Sequence, residues 1–188
     1  MEPVTLRTAR LELFAPTIDD VDAIHAACQD AEIQRYTTVP SPYPRSLAEA
    51  FVDRVAAEWA VGVHFTWGVH RDGALVGTIG IYRVDGTGAG ELGYWTAPAA
   101  RGDGVVREAA RAVIDWGFSP DGLRLARIEW RAVVGNIGSA RAARALGFRY
   151  EGMSRSVLRN GTGVRSDGWI AGLLADDDRT PQSWPVLD

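Results

Sequence analysis

The chain has 188 residues, 46% of them hydrophobic, which suits one compact domain with a sizeable core and leaves little room for a second. Its 20 basic and 24 acidic residues leave a net charge of −4, which argues against a protein whose main work is holding nucleic acid. The single cysteine, Cys28, excludes an internal disulfide framework and a cysteine-based zinc site. That usage fits a reducing cytoplasm. No run of about eighteen apolar residues occurs, and Met1 to Thr5 lack the basic start and apolar run of a secretory signal. The expectation is a soluble, cytoplasmic protein that does not engage a membrane.

In chain order, Leu6 to Ala15 alternates apolar and polar residues and reads as a first strand. Thr17 and Asp20 form a capping signal for a helix from Ile18 to about Gln29. Three prolines between Thr37 and Pro44 exclude a helix and make a loop. Ser46 and Glu49 read as a capping box for a helix to about Ala60, with Leu47, Phe51, Val55 and Trp59 on its apolar face. From His64 the period changes to two. Phe65 to Arg71 and Ala74 to Tyr82 are strands joined at Asp72 and Gly73, and a glycine-rich turn from Asp85 to Gly90 leads into a third strand, Glu91 to Thr96. These three form an antiparallel meander.

The most informative stretch follows. Pro98 stops the strand, Arg101, Gly102, Asp103 and Gly104 make a turn, and Val105, Ala109, Ala112, Val113 and Trp116 recur at helical spacing. Two glycines before a helix allow backbone conformations in which successive N–H groups converge at the positive end of the helix dipole. A phosphate or pyrophosphate fits such a cradle, and a plain tight turn is the competing reading. The Gly-Lys-Ser/Thr ending of a nucleotide P-loop is missing, and only two of the three glycines of a dinucleotide fingerprint are present.

Beyond this helix, Leu125 to Val134 is a strand reached by a helical crossover, hence parallel to the strand at Glu91. Asn136 opens a short helix, Ala140 to Leu146, stopped by Gly147. Phe148 to Leu158 and Val164 to Leu174 make a closing hairpin, with Asn160 and Gly161 at its reversal. Residues 1–175 are read as the single domain and 176–188 as a solvated acidic tail. The fold class is α/β, on one mixed sheet of six or seven strands with about four helices.

Two glycine-marked segments thus occur in fixed order: Arg101 to Val106 opening one helix, and Asn136 to Ser139 opening another, followed by Leu146, Gly147 and Phe148 and then by Glu151 and Gly152. Together they closely resemble the GCN5-related N-acetyltransferases, within them the subgroup like the ribosomal-protein N-terminal acetyltransferases. The resemblance spans essentially the whole chain and is most specific between Glu91 and Gly152. It implies a mostly antiparallel sheet and acetyl-CoA as acyl donor. It implies that Arg101, Gly102, Asp103, Gly104, Val105 and Val106 bind the pyrophosphate through backbone N–H groups. Val106 departs from the family's usual glycine or alanine. Trp95 and Thr96 would sit where the strand splays from its neighbour to admit pantetheine, and a backbone N–H there could stabilise the oxyanion. Asn136 matches a pantetheine contact and Ser139 a hydroxyl near the thioester sulfur; as residue types the two are equally an N-cap and a first-turn residue.

Acetyl transfer to an amine needs a positioned thioester and a route for the proton leaving nitrogen. Glu91 is the candidate base and Ser139 the candidate donor to the departing thiolate. Glu91 also reads as a surface residue beside a glycine turn, and Glu151 suits a structural or cofactor-side role. His25, His64 and His70 show neither metal-ligand spacing nor a triad, so no metal is expected, and the absence of a Gly-x-Ser-x-Gly motif disfavours an acyl-enzyme. The expected reaction is direct transfer in a ternary complex to a primary amine, a protein N-terminus or a small molecule. The acceptor would enter beside Tyr36, Tyr43 and Trp59, residue types that serve core packing equally well. A succinyl or other acyl donor, a non-catalytic acyl-CoA sensor and an ATP-binding turn are the competing readings. A homodimer is implied by the resemblance alone.

Overall fold

A computed structural model describes all residues, Met1 to Asp188. One mixed sheet runs through the molecule in the order β1-β2-β3-β4-β5-β6-β8-β7. The strands are β1 (Leu6–Arg7), β2 (Glu12–Phe14), β3 (Phe65–Arg71), β4 (Ala74–Tyr82), β5 (Ala89–Thr96), β6 (Arg127–Val133), β7 (Arg149–Arg159) and β8 (Arg165–Leu174). The helices are α1 (Val21–Ala27), α2 (Ala31–Tyr36), α3 (Arg45–Val61), α4 (Val105–Phe118) and α5 (Ile137–Ala145). No helix is long and apolar enough to cross a membrane.

The meander forms as expected: β3, β4 and β5 pair antiparallel, with Asp72 and Gly73 both at positive φ in the first reversal. The crossover through α4 brings β6 parallel to β5. Ile79, Ile81, Leu92, Ile128 and Trp130 bury against Val105, Ala109, Val113 and Trp116 of α4, so the helical periodicity and the strand alternation share one core. A satellite cluster of Val21, Ile24, Cys28, Tyr43 and Ala48 holds α1 to α3, with Trp95 packed against it.

Several expectations are corrected. The sheet has eight strands and the molecule five α-helices. The first strand is divided, because Thr8 N–H donates to the Leu11 carbonyl and Leu11 N–H to Thr8 Oγ1, which folds the chain between β1 and β2. The helix expected from Ile18 to Gln29 is a short 3-10 turn followed by α1, and α2 is an additional helix. The capping box at Thr17 is present, with Thr17 N–H donating to Asp20 Oδ2 at 2.8 Å. That at Ser46 is not: α3 starts two residues earlier, at Arg45 after Pro44, and Glu49 pairs with Arg45 instead. The β7–β8 reversal spans Asn160 to Val164, and Gly163 rather than Gly161 takes the left-handed conformation. The last residues are not a solvated tail. Trp184 is fully buried between Trp130 and Tyr150, and its Nε1 donates to the Phe148 carbonyl at 3.1 Å.

Candidate active site

The pairing of β5 with β6 runs from Ala89 with Arg127 to Leu92 with Trp130 and stops there. Past that point each strand stays with its other neighbour: Gly93 to Thr96 pair with β4, and Arg131 to Val133 pair with β8. The strands therefore part as a wedge whose apex lies at Leu92 and Trp130. Backbone groups of β5 beyond the apex have no strand partner on that side, which is the condition for receiving an extended ligand as an extra strand.

A groove of about 690 Å3 opens from this wedge. One wall is Tyr94, Trp95 and Thr96 of β5; the second is the turn and first residues of α4; the third is the start of α5. Glu32, Ile33, Tyr36 and Thr37 of and beside α2 form the fourth. The groove gathers Trp95, Thr96, Arg101, Gly102, Gly104, Val105, Val106, Asn136 and Ser139, nine of the residues singled out from sequence.

The start of α4 has the strongest chemical character. Gly102 and Gly104 take φ of +85° and +75°, and no side chain caps the helix. The main-chain N–H groups from Gly102 to Arg107 donate to no protein acceptor; the first internal bond is from Glu108 to the Gly104 carbonyl. Six successive donors at the positive end of a fourteen-residue helix make an anion cradle. Glu108, in the first turn of α4, is held by other partners. Thr8 Oγ1 donates to its Oε1 at 2.6 Å and Arg10 Nε to its Oε2 at 2.7 Å. Burial raises the pKa of this carboxyl, but those hydrogen bonds outweigh burial and hold it below the usual glutamate range.

Arg101 lines the groove while its guanidinium pairs with Asp30, the residue that caps α2 through a 3.0 Å bond from Ile33 N–H. This pair ties the turn to α2. The Asp103 side chain is turned away from the groove toward Arg71, at 3.1 Å, so its contribution to an anion is its amide alone. Val105 likewise buries its side chain in the core and leaves its N–H outward. The bulk of Val106 faces the groove.

The start of α5 is built differently. Asn136 caps it, its Oδ1 accepting from Ser139 N–H at 3.2 Å. Ser139 Oγ lies 2.8 Å from the Tyr94 phenol and accepts from Trp130 Nε1 at 3.1 Å. Tyr94 was not singled out from sequence, because within a strand it is one aromatic among alternating residues. Its meeting with Ser139, 45 positions on, is visible only in the fold.

Glu91 stands apart from the groove, on the opposite face of the sheet from Tyr94 and just below the apex of the wedge. Arg83 Nη1 donates to its Oε2 at 2.6 Å, and Arg131 is 3.8 Å away. Burial raises the pKa of Glu91; the two arginines act against that shift, while neighbouring Glu129 adds to it. The raised direction suits a general base, but Glu91 does not line the groove. Glu151, by contrast, is fixed in a two-pronged pair with Arg127, at 2.8 and 2.6 Å.

Of the remaining sequence candidates, only Tyr36 belongs to the site. Tyr36 lines the groove, but Tyr43 and Trp59 are core residues. His70 is buried with Phe14 stacked on it and its Nε2 2.8 Å from Asp20 Oδ1, and His64 Nδ1 accepts from Arg83 N–H. Cys28 is buried beside Tyr43, and burial pushes its thiol up to about 11, which makes it a poor nucleophile.

The family described as Acetyltransferase (GNAT) domain matches residues 10–149. The chain belongs to the GNAT family of N-acetyltransferases. Its relatives include YoaA of Bacillus subtilis, named as an uncharacterized N-acetyltransferase, 30% identical over 161 residues, a match that covers 84% of this chain and 90% of that one. YjcK of the same organism, also named as an N-acetyltransferase, is 32% identical over 117 residues, covering 61% of this chain and 63% of the relative. Among solved structures, RimL, named as a ribosomal L7/L12 α-N-protein acetyltransferase in complex with coenzyme A, superposes with a TM-score of 0.80. That match has 19% identity and covers 93% of this chain and 100% of RimL. At that identity the likeness speaks for the fold.

Proposed function

We propose that this GNAT chain transfers an acetyl group from acetyl-CoA to a primary amine, a protein N-terminus or a small molecule, directly within a ternary complex. The observation that carries the reading is the row of six open amides, Gly102 to Arg107, set beside the wedge between β5 and β6. The donors suit a diphosphate, and the free edge of β5 suits an amide-bearing arm; together they fit coenzyme A. RimL, with the same fold, is named as holding coenzyme A.

The bound thioester would supply the activated acyl group. The chain's own residues do the rest. The amides from Gly102 to Arg107 bind and orient the diphosphate, with Arg107 and Arg141 at the groove adding positive charge. Gly93 to Thr96 hold the arm along the strand edge, and Asn136 flanks it. Glu91 takes the proton from the attacking amine through water, from the face of the sheet opposite α5. Ser139 donates a hydrogen bond from the α5 side, where the sulfur would lie.

Incubation of the protein with acetyl-CoA and a panel of amines and peptides, with free thiol read continuously, tests this reading. Amine-dependent thiol release is the expected result. Saturable binding of coenzyme A without turnover across the panel would replace the enzyme with a sensor, and faster turnover with succinyl-CoA would change the acyl group.

A further inference from the structure

Ser139 is held more tightly than a serine in the first turn of a helix needs to be. Its hydroxyl has two lone pairs and one proton. Trp130 Nε1, which can only donate, fills one lone pair at 3.1 Å. The Tyr94 phenol lies 2.8 Å from the same oxygen and 3.4 Å from the Ser139 carbonyl. Either hydroxyl can donate across that contact, but a phenol is the better donor, so we take Tyr94 as the donor to the second lone pair. The Ser139 proton is then left without a protein acceptor, on a residue that lines the groove. The two donors also straddle the apex of the wedge. Trp130 is the last residue of β6 paired with β5, and Tyr94 is two residues beyond its partner Leu92, on the same face. The place where the strands part is therefore the place where the hydroxyl is aimed.

We propose that Tyr94 and Trp130 are positioning residues that fix the Ser139 hydroxyl as an outward hydrogen-bond donor to the leaving sulfur of the acyl donor. The inference rests on the acetyl-transfer reading above. No proton leaves Ser139; its O–H stays intact and stabilises charge as it grows on sulfur. A hydroxyl free to rotate would spend part of its time donating elsewhere, and each donor that occupies its oxygen removes one of those alternatives.

Steady-state kinetics of Y94F, S139A and the double variant, with thermal melting of each, test the proposal. S139A should lower kcat by roughly 10- to 100-fold, the range for a hydrogen bond to a charged group, while KM for acetyl-CoA moves by no more than about twofold. Y94F should lower kcat by about 3- to 10-fold, the range for a neutral hydrogen bond, again without a matching rise in KM. The double variant should be no slower than S139A, because Tyr94 acts only through that hydroxyl. Wild-type turnover with independent losses in the double variant would overturn the positioning role, leaving Tyr94 a packing residue. A loss in Y94F at least as large as in S139A would overturn it in favour of the phenol as the donor. Wild-type protein that turns over no amine would overturn the acetyl-transfer reading and this inference with it.

Discussion

Two helices begin at the same groove in opposite ways. α4 starts after two glycines in the left-handed conformation with no side-chain cap, and its first amides point outward unbonded. α5 starts after Asn136, whose side chain takes up the Ser139 amide. The first arrangement gives up local capping and keeps a concentrated positive potential for a ligand. The second satisfies the backbone and uses the helix start to place one hydroxyl. Holding an anion on open amides and placing a hydroxyl need different helix starts, and the two helices supply one start of each kind.

That contrast can be broken from either end, and Glu91, outside both helices, gives the largest expected effect. E91Q should lower kcat by about 100-fold or more, the usual share of a general base, with coenzyme A affinity unchanged. Only the carboxylate accepts a proton, so wild-type activity should fall as pH drops through a value above the ordinary glutamate pKa of about 4.3. The pH profile of kcat should lose that acid limb in E91Q. At the start of α4, G104V forces a β-branched residue into the left-handed region, at a cost of about 1–2 kcal/mol or more. Coenzyme A should then bind about tenfold weaker by calorimetry, with kcat at saturation little changed. At the start of α5, N136A should do the reverse: loss of the cap costs about 1 kcal/mol, a fall of about 2–4 °C in Tm, with a smaller loss of affinity than G104V. Equal loss of affinity in the two variants would erase the distinction between the helix starts.

A smaller test concerns stability away from the groove. Burial raises the pKa of Asp20, but hydrogen bonds from His70 and Thr17 outweigh it and hold the carboxyl below the usual aspartate range. A depressed folded-state pKa contributes stability above the unfolded value, lost as pH falls through the folded one. D20N should flatten the acid side of a plot of Tm against pH, with turnover per folded molecule unchanged.

Most of the site was legible in the sequence because it is made of backbone. Glycines before a helix and a strand before the glycines mark a helix start without any side-chain contact, and the open amides run from Gly102 to Arg107. The wedge was legible only through resemblance, since the end of pairing at Leu92 leaves no mark in residue type. α2 was missed because six residues are too short to display a helical period; Asp30, its cap, was the one available signal. Missing α2 meant missing the wall that carries Glu32 and Ile33. Tyr94 was hidden because its role depends on a partner on another element. Trp184 was assigned to a solvated tail because the aspartates before it suggested solvent, whereas a lone large aromatic in a polar segment is itself a sign of docking.

The central claim is that the open amides at the start of α4 grip a diphosphate. Titration calorimetry of wild type and G104V with coenzyme A and, separately, with pantetheine, which has the same arm but neither the diphosphate nor the nucleotide, tests this. Tight binding of coenzyme A to wild type, with pantetheine weaker by at least about 100-fold and that gap narrowed in G104V, is expected for several charge-assisted hydrogen bonds to the diphosphate. Equal affinity for the two would contradict it.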